Sequence, residues 1–515
     1  MLISRRSLFE ALTSAGSLRS MGVLTAPMLV PRSQAQVAPE VASFTPEIEP
    51  LVALIERTPR DKGAETLVAQ LKAGVSYREL MAALFLAAIR NVNPRPPGFA
   101  LHSVFVIHAA HLISLQAPAN SRLLPLFYAF DVFKAAQERD AGASTGDYVM
   151  RPMRDAVPPA ATAMADFTSA MESWDTPRAE RAVVSLARYR NAAEAFEQLW
   201  RYGVRDYRNI GHKAIFVANA ERTLRTIGWQ HSEPVLRSLV LGLLDFGKEQ
   251  QVNGYAFADQ CYAGNVKRVS NSLPRMDAAW AARPADPAVT RNVLKDIRTA
   301  SPEEACAAVA ERLAKGGAGA PAIWDAVHLA GCELRMRVSG GATITGVHAV
   351  TSCNGLHHAY LSATDPAIRL LVLLQSVGWM GQFRTWAETR KDGVRNFSID
   401  EMEPSTAKVE SESAALDALA NVASNTDDSA ARVMRLARSA QSRQAFLSTA
   451  TRFTLGKADE VHYYKYLASL IEDIPLVSAE WQPHLVASVA YYCKGSKDTE
   501  PVWAQRARAA LGALA

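Results

Sequence analysis

Eleven histidines are spread over this 515-residue chain, and four of them recur in one local setting. His102, His212, His348 and His462 each stand at or just before a run with helical apolar spacing, after a polar or turn-forming break. Imidazole suits iron, copper or zinc, so four such groups converging would make a transition-metal centre. Carboxylates at Asp131, Glu221 or Asp459 would orient the ring N–H groups or complete the shell. The plainer alternative for each histidine is a helix-start or core residue whose nitrogens are satisfied locally. His357 and His358 are adjacent, so on a helix they point about 100° apart and cannot both face one centre. They are candidates for substrate contact or proton shuttling, with Asp131 and Glu221 as carboxylate partners for acid–base chemistry. His108 and His111, three apart, share a helix face.

Other catalytic signatures are weak. The chain has no HExxH, no P-loop, no GxGxxG and no CxxCH. One GxSxG string, GASTG around Ser144, follows a charged helix end and opens a Pro-rich loop, which is the wrong setting for a nucleophile elbow. Cys353 follows His348 by five residues, with Asn354 beside it, but nothing marks an orienting third group. Five widely spaced cysteines make no disulfide framework.

The elements that must position these groups read as helices. Periodic Leu/Ala-rich runs are many and alternating runs of strand length are few, so the fold class is all-α. Ser76 with Glu79, and Ser301 with Pro302 and Glu304, spell capping boxes at helix starts. A nearly all-apolar helix is expected over 80–92, deep in the core, and a single helix over 177–202. The stretch 101–130 shares its grammar with 343–376: His111 to Arg122 and His358 to Arg369 both span eleven residues. Glu79 would correspond to Asp325, and Arg90 to Arg335 or Arg337. This predicts an internal duplication, with two pseudo-equivalent halves, 36–290 and 291–515, built from four helical units and packed as one large helical domain. The polar segment 392–428 is expected as a surface excursion or lid.

The net charge of +5 arises from 56 basic and 51 acidic residues, with no basic stripe interleaved with aromatics, so nucleic acid is not an expected partner. Residues 1–35 carry paired Arg5 and Arg6, a weakly apolar stretch and a Ser33-Gln34-Ala35 cleavage pattern. They predict a twin-arginine export signal, hence export machinery as a partner and a periplasmic or secreted location. Beyond that signal no uninterrupted apolar run reaches 18 residues, and no further membrane span is expected.

The segments VHAVTS (347–352), GHKAIFVANAERTL (211–224) and ADEVHYYKYLASL (458–470) are similar to the His-bearing segments of the questin oxidase-like family. The resemblance implies a helical protein and an oxidative, Baeyer–Villiger type activity on an aromatic, quinone-like molecule, with NADPH as reductant. It implies His212, His348 and His462 as site residues; His102 is added by the internal repeat. Three functional expectations stand together. One is an exported oxidoreductase dependent on a transition metal (Fe, Cu or Zn) or haem, acting on an apolar or aromatic small molecule. The second is a non-catalytic envelope protein binding a hydrophobic ligand or haem. The third is a hydrolase or lyase working by His and carboxylate acid–base chemistry.

Overall fold

Ser76 and Ser301 start helices for the reason their spacing gives. Each hydroxyl accepts from the backbone N–H three residues on, while Glu79 and Glu304 accept from the serines' own backbone N–H groups. A third box, Asn191 with Glu194, breaks the single helix expected over 177–202. Asn191 has the extended backbone of a cap and its side chain accepts from the Glu194 N–H, so the chain ends one helix at Tyr189 and begins another at Ala192.

The computed structural model describes residues 38–142, 147–245, 256–389, 393–406, 413–420 and 422–512; the expected export signal and Ser144 lie outside them. The described residues form 22 α-helices, joined by turns and short 3-10 segments, with a lone antiparallel bridge between Val338 and Val394 and no strand. The chain is all-α. In order, the helices are α1 (Glu49–Arg57), α2 (Gly63–Lys72), α3 (Tyr77–Asn91), α4 (His102–Gln116), α5 (Leu124–Ala141), α6 (Ala163–Ser173), α7 (Thr176–Tyr189), α8 (Ala192–Gly203), α9 (His212–Ile227), α10 (Ser232–Leu243) and α11 (Ala256–Ser272). They continue as α12 (Pro287–Thr299), α13 (Pro302–Ala314), α14 (Ala320–Arg337), α15 (Thr343–Ser362), α16 (Pro366–Glu388), α17 (Ser413–Ala420), α18 (Thr426–Leu436), α19 (Ala440–Lys457), α20 (Val461–Asp473), α21 (Gln482–Ser488) and α22 (Val502–Gly512).

Four of these make the middle of the molecule. Helix α4 packs on α9, α9 on α15, α15 on α20, and α20 back on α4, closing a ring of helices that are far apart in the chain. Helices α4, α9, α15 and α20 are largely buried, and the sequences of α4 and α15 accordingly lack a polar face. The rest pack around them as an outer layer, and one continuous hydrophobic core runs through both halves of the chain. Helix α4 with the turn before it is apolar and long enough, by composition, to cross a bilayer; here most of it lies inside the protein.

The first described part of 392–428 is held against the body of the protein. Arg395 donates through its backbone N–H to Arg337 O and through its side chain to Met336 O, and the Ile399 N–H donates to the Glu333 carboxylate, so 393–401 is strapped to the end of α14. The residues paired by the internal repeat also differ in their work. Glu79 closes a capping box, whereas Asp325 is a buried acceptor for Ser478 on the other side of the molecule.

Candidate metal centre

Each helix of the central ring delivers one histidine to the same place. His102 is the first residue of α4, His212 the first of α9 and His462 the second of α20, whereas His348 is the sixth of α15, more than a turn inside. The helix that carries His348 therefore starts more than a turn earlier, relative to its histidine, than the other three. The four rings nevertheless meet: His102 Nε2 lies 3.0 Å from His212 Nε2, and His348 Nε2 lies 2.9 Å from that same atom. The ligand atoms of His102, His348 and His462 all fall within 4.8 Å of one another. All four residues are buried.

The approach of α9 to α15 sets the 2.9 Å contact. Gly355 of α15 lies against the Ala214 and Ile215 backbone of α9, where a Cβ would sit about 3.3 Å from Ala214 O. Ahead of His212, three consecutive residues are left-handed: Asn209 (φ 52°), Ile210 (φ 49°) and Gly211 (φ 82°). A β-branched residue in that region is strained. Buried ion pairs flank the turn: Lys213 Nζ lies 2.8 Å from Asp206 Oδ2, and Arg208 makes a bidentate pair with Asp259 at 2.5 and 2.6 Å. Strain held in place by a buried polar frame directly before a clustered histidine marks this turn as part of the site.

Protons alone cannot satisfy the cluster. A ring nitrogen has a single in-plane position, filled by a proton or by a lone pair. His348 Nδ1 lies 2.8 Å from Ile344 O, and His462 Nδ1 lies 2.7 Å from Glu460 Oε2; both partners only accept, so both rings carry Nδ1–H and a bare Nε2. With neutral rings His212 Nε2, which offers one proton or one lone pair, can then make one good contact, and the other is left without a matched donor and acceptor. His462 Nε2 is buried with no protein partner at all. A shared proton is disfavoured, since burial, with the neighbouring rings and Lys465, holds the imidazoles of the cluster below their ordinary range; Glu460 pulls the other way at His462.

A cation held by His102, His348 and His462 would take up the lone pairs that protons leave unmatched. Ligation at about 2.0–2.1 Å places neighbouring nitrogens about 2.9 Å apart at a right angle and about 3.4 Å apart at the tetrahedral angle. His102, His348 and His462 could hold a metal ion, and their all-imidazole donor set fits iron, copper, nickel or zinc better than magnesium or calcium, which take oxygen ligands. Glu460 and the Ile344 carbonyl would fix the ring orientations from behind. Glu460 also accepts from Tyr492 Oη at 2.5 Å.

Lys465, one turn after His462, completes the surroundings. Its Nζ is buried without a hydrogen-bond partner, 5.3 Å over the Phe105 ring, and burial pushes its pKa down to about 7. From the other side a cavity of about 600 Å³ reaches His102 and Glu460, walled in part by Phe99, Tyr128 and Trp503.

The carboxylates expected to serve the cluster are engaged elsewhere. Asp459 pairs with Lys494 at 2.8 Å, and the brace is its neighbour Glu460. Asp131 forms a bidentate pair with Arg60 in the cavity wall. Glu221 accepts from Arg225 and lies 2.8 Å from His358 Nε2, because nine residues along α9 carry it about two and a half turns from His212. His357 and His358 diverge as adjacent helical residues must, and neither reaches the centre: His357 stacks on Trp324 (4.1 Å between centroids, 7° between planes) and its Nδ1 is 2.7 Å from His328 Nε2. Cys353 meets His328 Nδ1 at 3.2 Å, not His348, and burial raises its thiol pKa. Asn354 is a hub, accepting from Arg222 and donating to Glu472 and Asp473. His108 turns to Glu472 and His111 to Tyr77, so that expected pair separates as well.

Glu460, Lys465 and the strained turn were not singled out from sequence. A signal existed for Lys465, a lone cation three residues after His462 inside the apolar run of α20. The chain matches no protein-family model, no curated protein and no solved structure.

Proposed function

We propose that this protein is an exported, metal-dependent oxidoreductase acting on an aromatic small molecule. The observation that carries the reading is the buried four-histidine cluster, which lacks enough protons to satisfy its own contacts and borders an aromatic-walled cavity. His102, His212, His348 and His462 would hold the ion. Bound iron or copper would supply electron transfer or oxygen activation there. An ion suits the cluster better than haem, because rings in 2.9–3.0 Å contact leave no slot for a macrocycle. Glu460 keeps the proton of His462 on Nδ1, the apolar helices exclude water, and Lys465 Nζ, poised near neutrality, can take or return a proton beside the centre. Similarity to the questin oxidase-like family supports a quinone-like substrate with NADPH as reductant, and the arginine-paired N-terminus supports export.

A hydrolase or lyase is the second reading, favoured by Lys465: a near-neutral amine beside a zinc ion would serve acid–base chemistry without electron transfer. The deciding experiment is metal analysis of protein purified without an affinity-metal column, with oxygen uptake on quinone-like substrates, with and without NADPH. About one equivalent of iron or copper, lost in His212→Ala and His348→Ala variants that keep their helical circular dichroism, supports the oxidoreductase. One equivalent of zinc with no oxygen uptake turns the reading to hydrolysis or elimination. A metal-free protein that is folded and active defeats both.

A further inference from the structure

The charges around the cavity name a chemical class of occupant. Four carboxylates line it, and each has its own partner: Asp131 receives both arms of Arg60 at 2.8 Å, Asp459 receives Lys494 at 2.8 Å, Glu460 is taken by His462 and Tyr492, and Asp61 lies 4.0 Å from Lys62 at the exposed rim. Arg60 is consumed by Asp131. Two further arginines line the same space, Arg139 and Arg506, and among the described residues neither has a carboxylate partner. The cavity thus carries two guanidinium groups without a carboxylate of their own, against one carboxylate, Glu460, whose partners are neutral, and the planar donor fork of a guanidinium matches a carboxylate in two parallel hydrogen bonds.

The same wall is built to receive a flat ring. The Trp503 indole is fixed by Nε1 donating to Ala458 O at 3.0 Å and packs on Tyr128 with 4.7 Å between centroids. Phe99 is 63% exposed, the Arg139 guanidinium sits 4.4 Å over its ring, and both border the cavity. An exposed phenylalanine capped by an unpaired arginine is an apolar surface joined to an anion-binding group, which a ring bearing an acid would cover together. Arg139 is exposed while His102 is buried, so the acid lies toward the mouth and the ring toward the histidine centre. A volume of about 600 Å³ accommodates a two- or three-ring molecule.

We infer that the cavity selects an aromatic carboxylate, held at its mouth by Arg139 and Arg506 and directed ring-first toward the histidine cluster. This rests on the proposal that the cavity is the substrate site; it does not depend on which metal is bound.

Calorimetric titration of the full chain with 2-naphthoate and with its neutral isostere 2-naphthamide tests it, in metal-loaded and in chelator-treated protein. Naphthoate is expected to bind at least tenfold tighter, with affinity falling as salt rises. Arg139→Gln and Arg506→Gln should each shrink that preference and together abolish it, leaving naphthamide affinity unchanged. Both side chains are at least partly exposed, and a thermal melt of each variant checks that the fold is kept. Equal affinity for acid and amide, or a preference untouched in the double variant, overturns the inference. Naphthoate selectivity in a metal-loaded protein that takes up no oxygen on any quinone-like substrate sinks the oxidoreductase reading and leaves this one standing. Oxygen uptake that responds equally to acid and amide does the reverse.

Discussion

Acid should unfold this protein well above the pH at which carboxylates titrate, and four histidines outside the metal cluster set the scale. Burial pushes His328 down to about 3 and His111, His358 and His484 down to about 4. In the unfolded chain each returns to about 6.5. Their folded values are depressed, so the unfolded state binds more protons between those values and 6.5, and stability rises with pH through that window and falls as pH drops through it. At pH 5 each group removes about 2 kcal/mol relative to pH 8, about 8 kcal/mol together, against a total stability of about 5–15 kcal/mol. The measurement is proton uptake on urea unfolding at pH 5.5 in weak buffer. The four imidazoles take up between about three and four protons at that pH, and His357 and the cluster imidazoles, also held below their ordinary range, add to the measured uptake. Asp473, whose carboxyl burial holds well above its ordinary range, gives back at most one. Carboxyls held low by partners, Glu221, Glu460 and Glu472, are ionised in both states there and contribute little. His484→Gln should lower the uptake by about one. An uptake below one proton would mean that these rings are solvated or charged in the folded protein, and the reasoning from burial fails.

The brace behind the cluster gives a graded test. Glu460→Ala should weaken metal binding about 10- to 100-fold in chelator competition, whereas Glu460→Gln, which can still accept from His462 Nδ1 and face Tyr492, should stay within a few-fold of the parent; equal affinities for all three would remove Glu460 from the site. Gly211→Ala places a Cβ 2.2 Å from Ser352 Oγ at φ 82°, so it should cost about 2–4 kcal/mol in chemical unfolding and lower metal occupancy, with only part of the loss recovered by Ser352→Gly. Arg222→Met removes the donor to the buried Asn354 Oδ1 and the counter-charge of Glu472 and should cost about 3–5 kcal/mol, while Arg225→Met, at a guanidinium 61% exposed, should cost less than about 1 kcal/mol by the same melts.

What could be read from sequence divides by the range of the interaction. Capping boxes at Ser76 and Ser301 act over three residues, so residue type and spacing specify them completely. The box at Asn191 obeys the same rule and was masked only because apolar periodicity runs on through it. The apolar stretches around His102 and His348 disclosed that α4 and α15 are buried on nearly every side, and a polar residue inside such a helix must find a partner. Which partner it finds depends on contacts between segments more than 100 residues apart, and no local pattern encodes them.

That difference explains why the four histidines and their carboxylates fared so differently. A histidine heading a buried helix is displayed by its neighbours, which leave an imidazole as the one group needing an answer. A carboxylate gives no such signal: Glu221 sits on the same helix as His212 yet faces His358, and Asp459 loses the role to Glu460 because a shift of one residue at the start of α20 turns the side chain from solvent toward the ring. His348 shows the same limit from the other side. Its helix begins five residues earlier than the repeat would place it, and its ring still arrives 2.9 Å from His212, with Gly355 easing the approach of two backbones where a Cβ would sit about 3.3 Å from Ala214 O. Convergence on one point, reached by different local routes, means the centre constrains the fold more tightly than any repeat in the sequence does.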